Sequence, residues 1–153
     1  MGSLIKSEAE IRELKSQVSG KKLILTNGCF DILHIGHLRY LQAAKSLGDY
    51  LLIGVNSDNS VKALKGESRP LNNQFDRAEI LNGLNCVDFT YIFEEKTAKN
   101  LIDLVRPAVY VKGGDYQLEN LPEYTILNEL KIEVIFLSFI DGYSTTSLIQ
   151  KIQ

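Results

Sequence analysis

The chain has 153 residues, of which 44% are hydrophobic and 24% charged. This is a soluble-globular composition at about one ~150-residue domain, and it excludes disordered, collagen-like and coiled-coil readings. Seventeen Lys plus Arg against 19 Asp plus Glu leave a formal net charge of -2. Nothing global therefore attracts nucleic acid or a membrane surface, and anion binding would have to come from a local site.

Two cysteines, Cys29 and Cys86, are too few for a disulfide framework. The first 20 residues intersperse Lys6, Glu8, Glu10, Arg12, Glu13 and Lys15 and contain no apolar leader core. The longest apolar stretches, 51–55 and 134–140, are strand-sized and fall well short of the ~18 residues that span a bilayer. The expectation is a reduced, cytoplasmic protein with neither nucleic-acid nor membrane partners.

Apolar periodicity predicts an opening helix over 8–18, with Ile11, Leu14 and Val18 on one face. Residues 1–20 then read as a helical extension of one domain covering 1–153. A buried strand follows over 22–26, a helix over 35–47, and a strand over 50–56. A short helix over 60–64 leads into a polar loop, 65–73, containing Pro70. The remaining elements are a helix at 76–84, a strand at 89–93, a helix at 96–105 and a strand at 108–112. A helix at 123–130, a strand at 133–138 and a helix at 144–152 close the chain. Strands from five places with helices between them predict an α/β fold: a doubly wound, Rossmann-like parallel sheet of five strands, with helices on both faces. Ligands of such sheets bind outside the carboxyl ends of the strands, where the strand order reverses.

The unusual residues do follow strands. After the first come Asn27-Gly28-Cys29-Phe30-Asp31 and then His34-Ile35-Gly36-His37, holding both histidines of the protein. At a helix start this spacing puts two imidazoles on one face beside unpaired backbone N–H groups and the positive dipole end. Gly36 removes a side chain that would otherwise hold a ligand off. Phosphate is the anion such a site favours, and imidazolium or neutral N–H donors would stabilise charge on a phosphoryl group. A zinc-binding pair and two unrelated surface histidines are the competing readings, although no recognised zinc spacing is present.

Three further clusters stand after later strands. Lys112-Gly113-Gly114-Asp115 offers backbone donors and a positive charge, or only a turn with Asp115 as a helix N-cap. Ser144-Thr145-Thr146 reads as helix capping or as a phosphate cradle. Lys62, Lys65, Arg69 and Arg77 form either a solvated face or a phosphate clamp.

Together, Gly28-Cys29-Phe30-Asp31, His34-Ile35-Gly36-His37 and Gly142-Tyr143-Ser144-Thr145-Thr146 resemble the signature of the cytidylyltransferase-like nucleotidyltransferases. Over 21–152 the pattern is most similar to the heptose 1-phosphate adenylyltransferase domain of ADP-heptose synthase. Asn56-Ser57-Asp58, Lys65-Gly66, Arg69-Pro70 and Val111-Lys112-Gly113-Gly114-Asp115-Tyr116 carry that closer likeness. The resemblance implies that ATP and D-glycero-D-manno-heptose 1-phosphate give ADP-heptose and pyrophosphate, for lipopolysaccharide or surface-glycan synthesis. It implies catalytic His34, His37 and Lys65, with Mg²⁺ accompanying ATP and no protein metal site. Nucleotide and phosphates would meet Gly28, Cys29, Phe30, Gly36, Arg77, Lys112, Gly113, Gly114, Asp115, Ser144, Thr145 and Thr146. Asp31, Asn56, Asp58 and Arg69 are candidates for the sugar phosphate, with Asp31 equally a loop-shaping residue. A homo-oligomer, commonly a dimer, is also implied.

Bifunctional members of the family carry a sugar kinase domain, for which 153 residues leave no room, so a separate upstream kinase is expected. The alternative within the class is a CTP-dependent cytidylyltransferase acting on glycerol 3-phosphate or a related alcohol phosphate. His-Ile-Gly-His also resembles the class I aminoacyl-tRNA synthetases, but one domain leaves no space for tRNA. A non-catalytic nucleotide-binding regulator and a zinc module are the readings from other classes.

Overall fold

The computed structural model describes residues 1–138 and 143–153. The elements are β1 (Ser3–Ile5), α1 (Glu8–Gln17), β2 (Leu23–Gly28), α2 (Ile35–Lys45), β3 (Tyr50–Asn56), α3 (Asp58–Lys65) and α4 (Gln74–Asn82). They continue as β4 (Phe89–Phe93), α5 (Lys99–Val105), β5 (Val109–Gly113), α6 (Tyr124–Glu129), β6 (Glu133–Leu137) and α7 (Thr145–Ile152), with a 3-10 turn at Leu118–Asn120. All strand pairings are parallel, in the order β1-β4-β3-β2-β5-β6.

Parallel strands covered on both faces should be apolar at consecutive positions, and the central strands are. Leu25 of β2, Leu52 of β3 and Tyr110 of β5 pack with Ile11 and Leu14 of α1, Leu101 and Ile102 of α5 and Leu127 of α6. Their strand neighbours Ile24, Ile53 and Val109 point the other way, to Tyr40 and Leu41 of α2 and Ala78 and Leu81 of α4. The chain thus winds helices onto both faces, as the alternation of elements predicts.

Among the described residues the sheet has six strands, not five. Ser3–Ile5 pairs with Phe89–Tyr91 at the sheet edge, so the N-terminal segment is a strand and a helix, not a helical extension alone. Three residues are too few to show a period. What fixes them is long-range: Gly2 N–H donates to Asn82 O and Ser3 N–H to Asp88 O. Ser7 then caps α1, its hydroxyl accepting from Glu10 N–H.

From β2 the chain moves outward through β3 to β4 on one side, then crosses to β5 and β6 on the other. The strand order therefore reverses between β2 and β5. The histidines follow β2 at the start of α2, and Lys112 stands near the carboxyl end of β5. The last two residues of the apolar stretch 134–140, Phe139 and Ile140, and the motif positions Asp141 and Gly142 lie outside the described residues.

Candidate active site

At the reversal point a cleft of about 810 Å³ opens over the carboxyl ends of the strands, within the size range of small-ligand sites. One wall is the start of α2. His34 is its N-cap, and its Nδ1 accepts from Gly36 N–H at 3.1 Å. His37 Nδ1 accepts from His34 N–H at 3.3 Å. Each imidazole therefore spends Nδ1 on the backbone, and a neutral ring in that position carries its proton on Nε2.

Burial lowers the pKa of His34. Burial, and then the charge of neighbouring His34, push His37 down to about 4. The ring centroids are 3.9 Å apart, a spacing that penalises two positive charges. The lowered pKa values and the close spacing favour two neutral N–H donors over an imidazolium pair. An added Cβ at Gly36 would lie 2.8 Å from the His34 ring and 3.4 Å from Tyr143 Cβ. Gly36 thus makes room for the folded-back imidazole, rather than for a ligand.

The second wall is the start of α7. Ser144 caps it, accepting from Ser147 N–H, while Thr145 Oγ1 donates to Ile32 O at 3.0 Å. That bond ties α7 to the loop ahead of α2 and brings two helix N-termini to one cleft. Ser144, Thr145 and Thr146 all line it, and Tyr143 stacks over His34 with ring centroids 6.3 Å apart. Capping and cradling are here the same arrangement, since the cap orients the first turn whose remaining N–H groups have no intrahelical partner.

Cations complete the enclosure. Lys65, from the last turn of α3, and Lys112, near the end of β5, both line the cleft. Gly28, Cys29, Phe30, Asp31, Asn56 and Arg69 also border the cleft. The Cys29 thiol is pushed up by burial, against the opposing pull of Lys65, Arg77 and Arg69, so it remains a protonated lining group. Among the described residues no group of three or more His, Cys, Asp or Glu is placed to hold a metal ion.

A family model described as cytidylyltransferase-like matches residues 25–151. The chain belongs to the cytidylyltransferase-like family of nucleotidyltransferases. It is 52% identical, over 99% of its length, to "Bifunctional protein HldE" of Aliarcobacter butzleri, and 49% identical over 89% to the protein of that name from Geobacter sulfurreducens. It spans 31% of the first and 28% of the second, about a third of these curated relatives. Among solved structures, the lipopolysaccharide core biosynthesis protein of Thermoplasma volcanium superposes with a TM-score of 0.64 at 28% identity, covering 82% of this chain and all of that one. Pantothenate synthetase from Thermus thermophilus, at 18% identity and a TM-score of 0.65 over 92% of this chain and 62% of its own, shares the fold.

Within this nucleotidyltransferase framework some expected contacts move behind the cleft. Arg77 is 1% exposed. Its Nε donates to Asn72 O, its Nη1 to Cys29 O and Asn56 O, and its Nη2 to Asp58 Oδ1. It is a strut joining three loops, with no donor turned to a phosphate. Asp58, held by Arg77, likewise does not line the cleft. Gly113, Gly114 and Asp115 also lie off it. Gly114 N–H donates to Leu137 O and so is not offered to a ligand. No helix starts at Asp115; the following 3-10 turn begins after Gln117, which removes the capping reading.

Asp31 holds a loop. Its carboxylate accepts from Leu71 N–H, Asn72 N–H and Arg69 Nε, each at 2.8–2.9 Å. Burial would raise its pKa, but the Asn72 and Leu71 amides and the Arg69 guanidinium outweigh it and hold the group below 3.8. Because the folded pKa is the lower one, this stabilisation is complete above the unfolded value and is lost as pH falls through the folded value. We expect Asp31→Asn to cost about 1–3 kcal/mol at pH 7. In urea denaturation, the gap from wild type should shrink below about pH 4, in the range of an unperturbed Asp.

The cleft also includes Asn27, Lys96, Thr97, Tyr116 and Glu123, none of them anticipated as site residues. Lys96 and Thr97 follow β4, and the rule that sites lie just after strands was enough to find them. Glu123 carried no such signal, because it stands at the start of a predicted helix.

Proposed function

We propose that this domain is an adenylyltransferase that joins ATP to D-glycero-D-manno-heptose 1-phosphate, releasing pyrophosphate. The observation that carries the reading is the pair of Nε2 donors of His34 and His37, set at a helix N-terminus in one cleft with Lys65 and the capped start of α7. Such a cleft is suited to a polyanion whose charge shifts during reaction, because preorganised donors stabilise that change without reorganising. The identity of about half to proteins named HldE, and the resemblance of the Lys112–Tyr116 segment to heptose 1-phosphate adenylyltransferases, support adenylyl transfer to a heptose phosphate.

A phosphate oxygen of the sugar 1-phosphate attacks the α-phosphorus of ATP. The bond from that phosphorus to the bridging oxygen breaks, and pyrophosphate leaves with the electron pair. His34 and His37 donate to the phosphate oxygens as charge builds. Lys65 and the first turn of α7 hold the departing pyrophosphate, and Lys112 lies against the nucleotide. Mg²⁺ accompanying ATP would supply further charge neutralisation. With no covalent intermediate, positioning and charge stabilisation provide the rate enhancement. The sugar 1-phosphate itself must come from a phosphorylating reaction at another active site.

The test is pyrophosphate release from a panel of ATP, CTP, GTP and UTP against both anomers of the heptose 1-phosphate and against glycerol 3-phosphate. Turnover with ATP and one heptose anomer is expected. Turnover confined to CTP with glycerol 3-phosphate would replace this reading with the cytidylyl one.

A further inference from the structure

The transfer described above leaves one buried acid at the cleft without a task. Glu123 occupies the N-cap position of α6, yet its side chain makes no cap hydrogen bond. It turns to the cleft instead and is 2% exposed. Its Oε1 has no hydrogen-bond partner. The nearest cation, Lys112 Nζ, stops 4.0 Å from it, beyond hydrogen-bond reach but close enough to balance its charge. The neighbouring Tyr110 hydroxyl donates to Asn27 Oδ1 and also lies within hydrogen-bonding reach of the Glu123 carboxyl group, yet Oε1 itself stays unpaired. Among the described residues two other buried side-chain oxygens also lack partners, Asn82 Oδ1 and Thr90 Oγ1, and neither residue lines the cleft.

An orphaned buried acceptor is costly, and more so when charged. A fold retains one most economically where a ligand completes it. The required ligand group follows from the surroundings. It must donate to a carboxylate, but it need not bring positive charge, because Lys112 already supplies that. It should also accept, since the Lys112 ammonium has donors to place. Adjacent hydroxyls meet all three conditions.

We propose that Glu123, with Lys112 beside it, is a specificity-determining acceptor for a vicinal hydroxyl pair of a bound substrate. Under the adenylyl-transfer reading, on which the choice of ligands rests, that pair belongs either to the ribose of ATP or to the ring of the sugar 1-phosphate. A site built to pair a hydroxyl rejects an analogue lacking it far more strongly than an apolar pocket rejects an added group.

The test measures binding, by calorimetry, of ATP, 2′-deoxy-ATP, 3′-deoxy-ATP and heptose 1-phosphate to wild type, Glu123→Leu and Glu123→Gln. Glu123→Leu should weaken one natural ligand by roughly 10- to 10²-fold and leave the other unchanged, with Glu123→Gln between, since a charged acceptor binds more strongly than a neutral one. If the ribose is the source, wild type should discriminate against one deoxy nucleotide and Glu123→Leu should not. If the sugar is the source, only heptose 1-phosphate should weaken. Glu123→Gln preserves side-chain volume and reads the same signature if the leucine variant fails to fold. Unchanged affinity for both natural ligands, or an ATP loss shared equally by both deoxy analogues with the sugar phosphate unaffected, would overturn the proposal. Failure of the adenylyl reading is seen separately, as absence of pyrophosphate release from wild type, because the affinities need no turnover.

Discussion

Replacing His37 with alanine is expected to lower kcat by ~10²- to 10³-fold, the usual cost of removing one preorganised transition-state donor. His34→Ala should behave similarly. The argument rests on tautomer as well as position: with Nδ1 of each ring accepting from backbone, the only N–H each can offer is Nε2–H. The same substitutions remove the helix-start bonds and should cost about 1 kcal/mol of stability, as lost caps do. A fall in melting temperature of a few degrees cannot by itself produce a hundredfold loss of turnover in protein that remains folded. Steady-state pyrophosphate release at 25 °C, set beside a thermal melt of the same sample, separates the two effects. Turnover within tenfold of wild type in both variants would remove the histidines from the reaction. The depressed His37 value of about 4 adds a pH expectation. No loss of activity should trace to protonation of this residue between pH 6 and 8, whereas an ordinary histidine would titrate near 6.5.

The histidine site was legible in the sequence because its logic is local. Two imidazoles three residues apart, a glycine between them and a strand just before are enough to place donors at a helix start. The same locality gave the limits of β3 and β4, whose predicted bounds, 50–56 and 89–93, are those observed. Arg77 and Asp31 were misread or left open for the opposite reason. A charged residue near a polar loop looks the same in sequence whether it meets a ligand or a carbonyl, and the partners of Arg77 come from residues 29, 56, 58 and 72. β1 was missed because its partner strand lies more than 80 residues away. Glu123 was hidden because an acid at a helix start already has an adequate local explanation, and only the observed side-chain direction removes it. Local chemistry can be read from the chain, while the assignment of a charge to ligand or scaffold depends on contacts that close through the fold.

Arg77 provides the strongest test of that distinction. Arg77→Ala should destabilise the domain by about 3–5 kcal/mol, the range for removing one member of a buried charged network. Three backbone carbonyls, on Cys29, Asn56 and Asn72, lose their guanidinium donor together, and buried acceptors pay for desolvation whether or not they are paired. Asp58 loses its ion-pair partner but is partly exposed, so water can take over much of that contact. At roughly 2–4 °C per kcal/mol for a chain this long, the melting temperature should fall by about 6–20 °C. Arg77→Lys should recover little, because an ammonium is a point charge and cannot span the three loops as the planar fork does. The same loops carry the cleft: Cys29 precedes the histidines, and Asn72 adjoins the segment held by Asp31. Any residual activity at low temperature should therefore show a raised KM alongside a reduced kcat. A phosphate-contacting arginine would give the opposite result, with stability nearly unchanged and the loss confined to turnover. A thermal melt beside a substrate titration at 15 °C distinguishes the two, and an unshifted melting temperature would return Arg77 to the phosphate site.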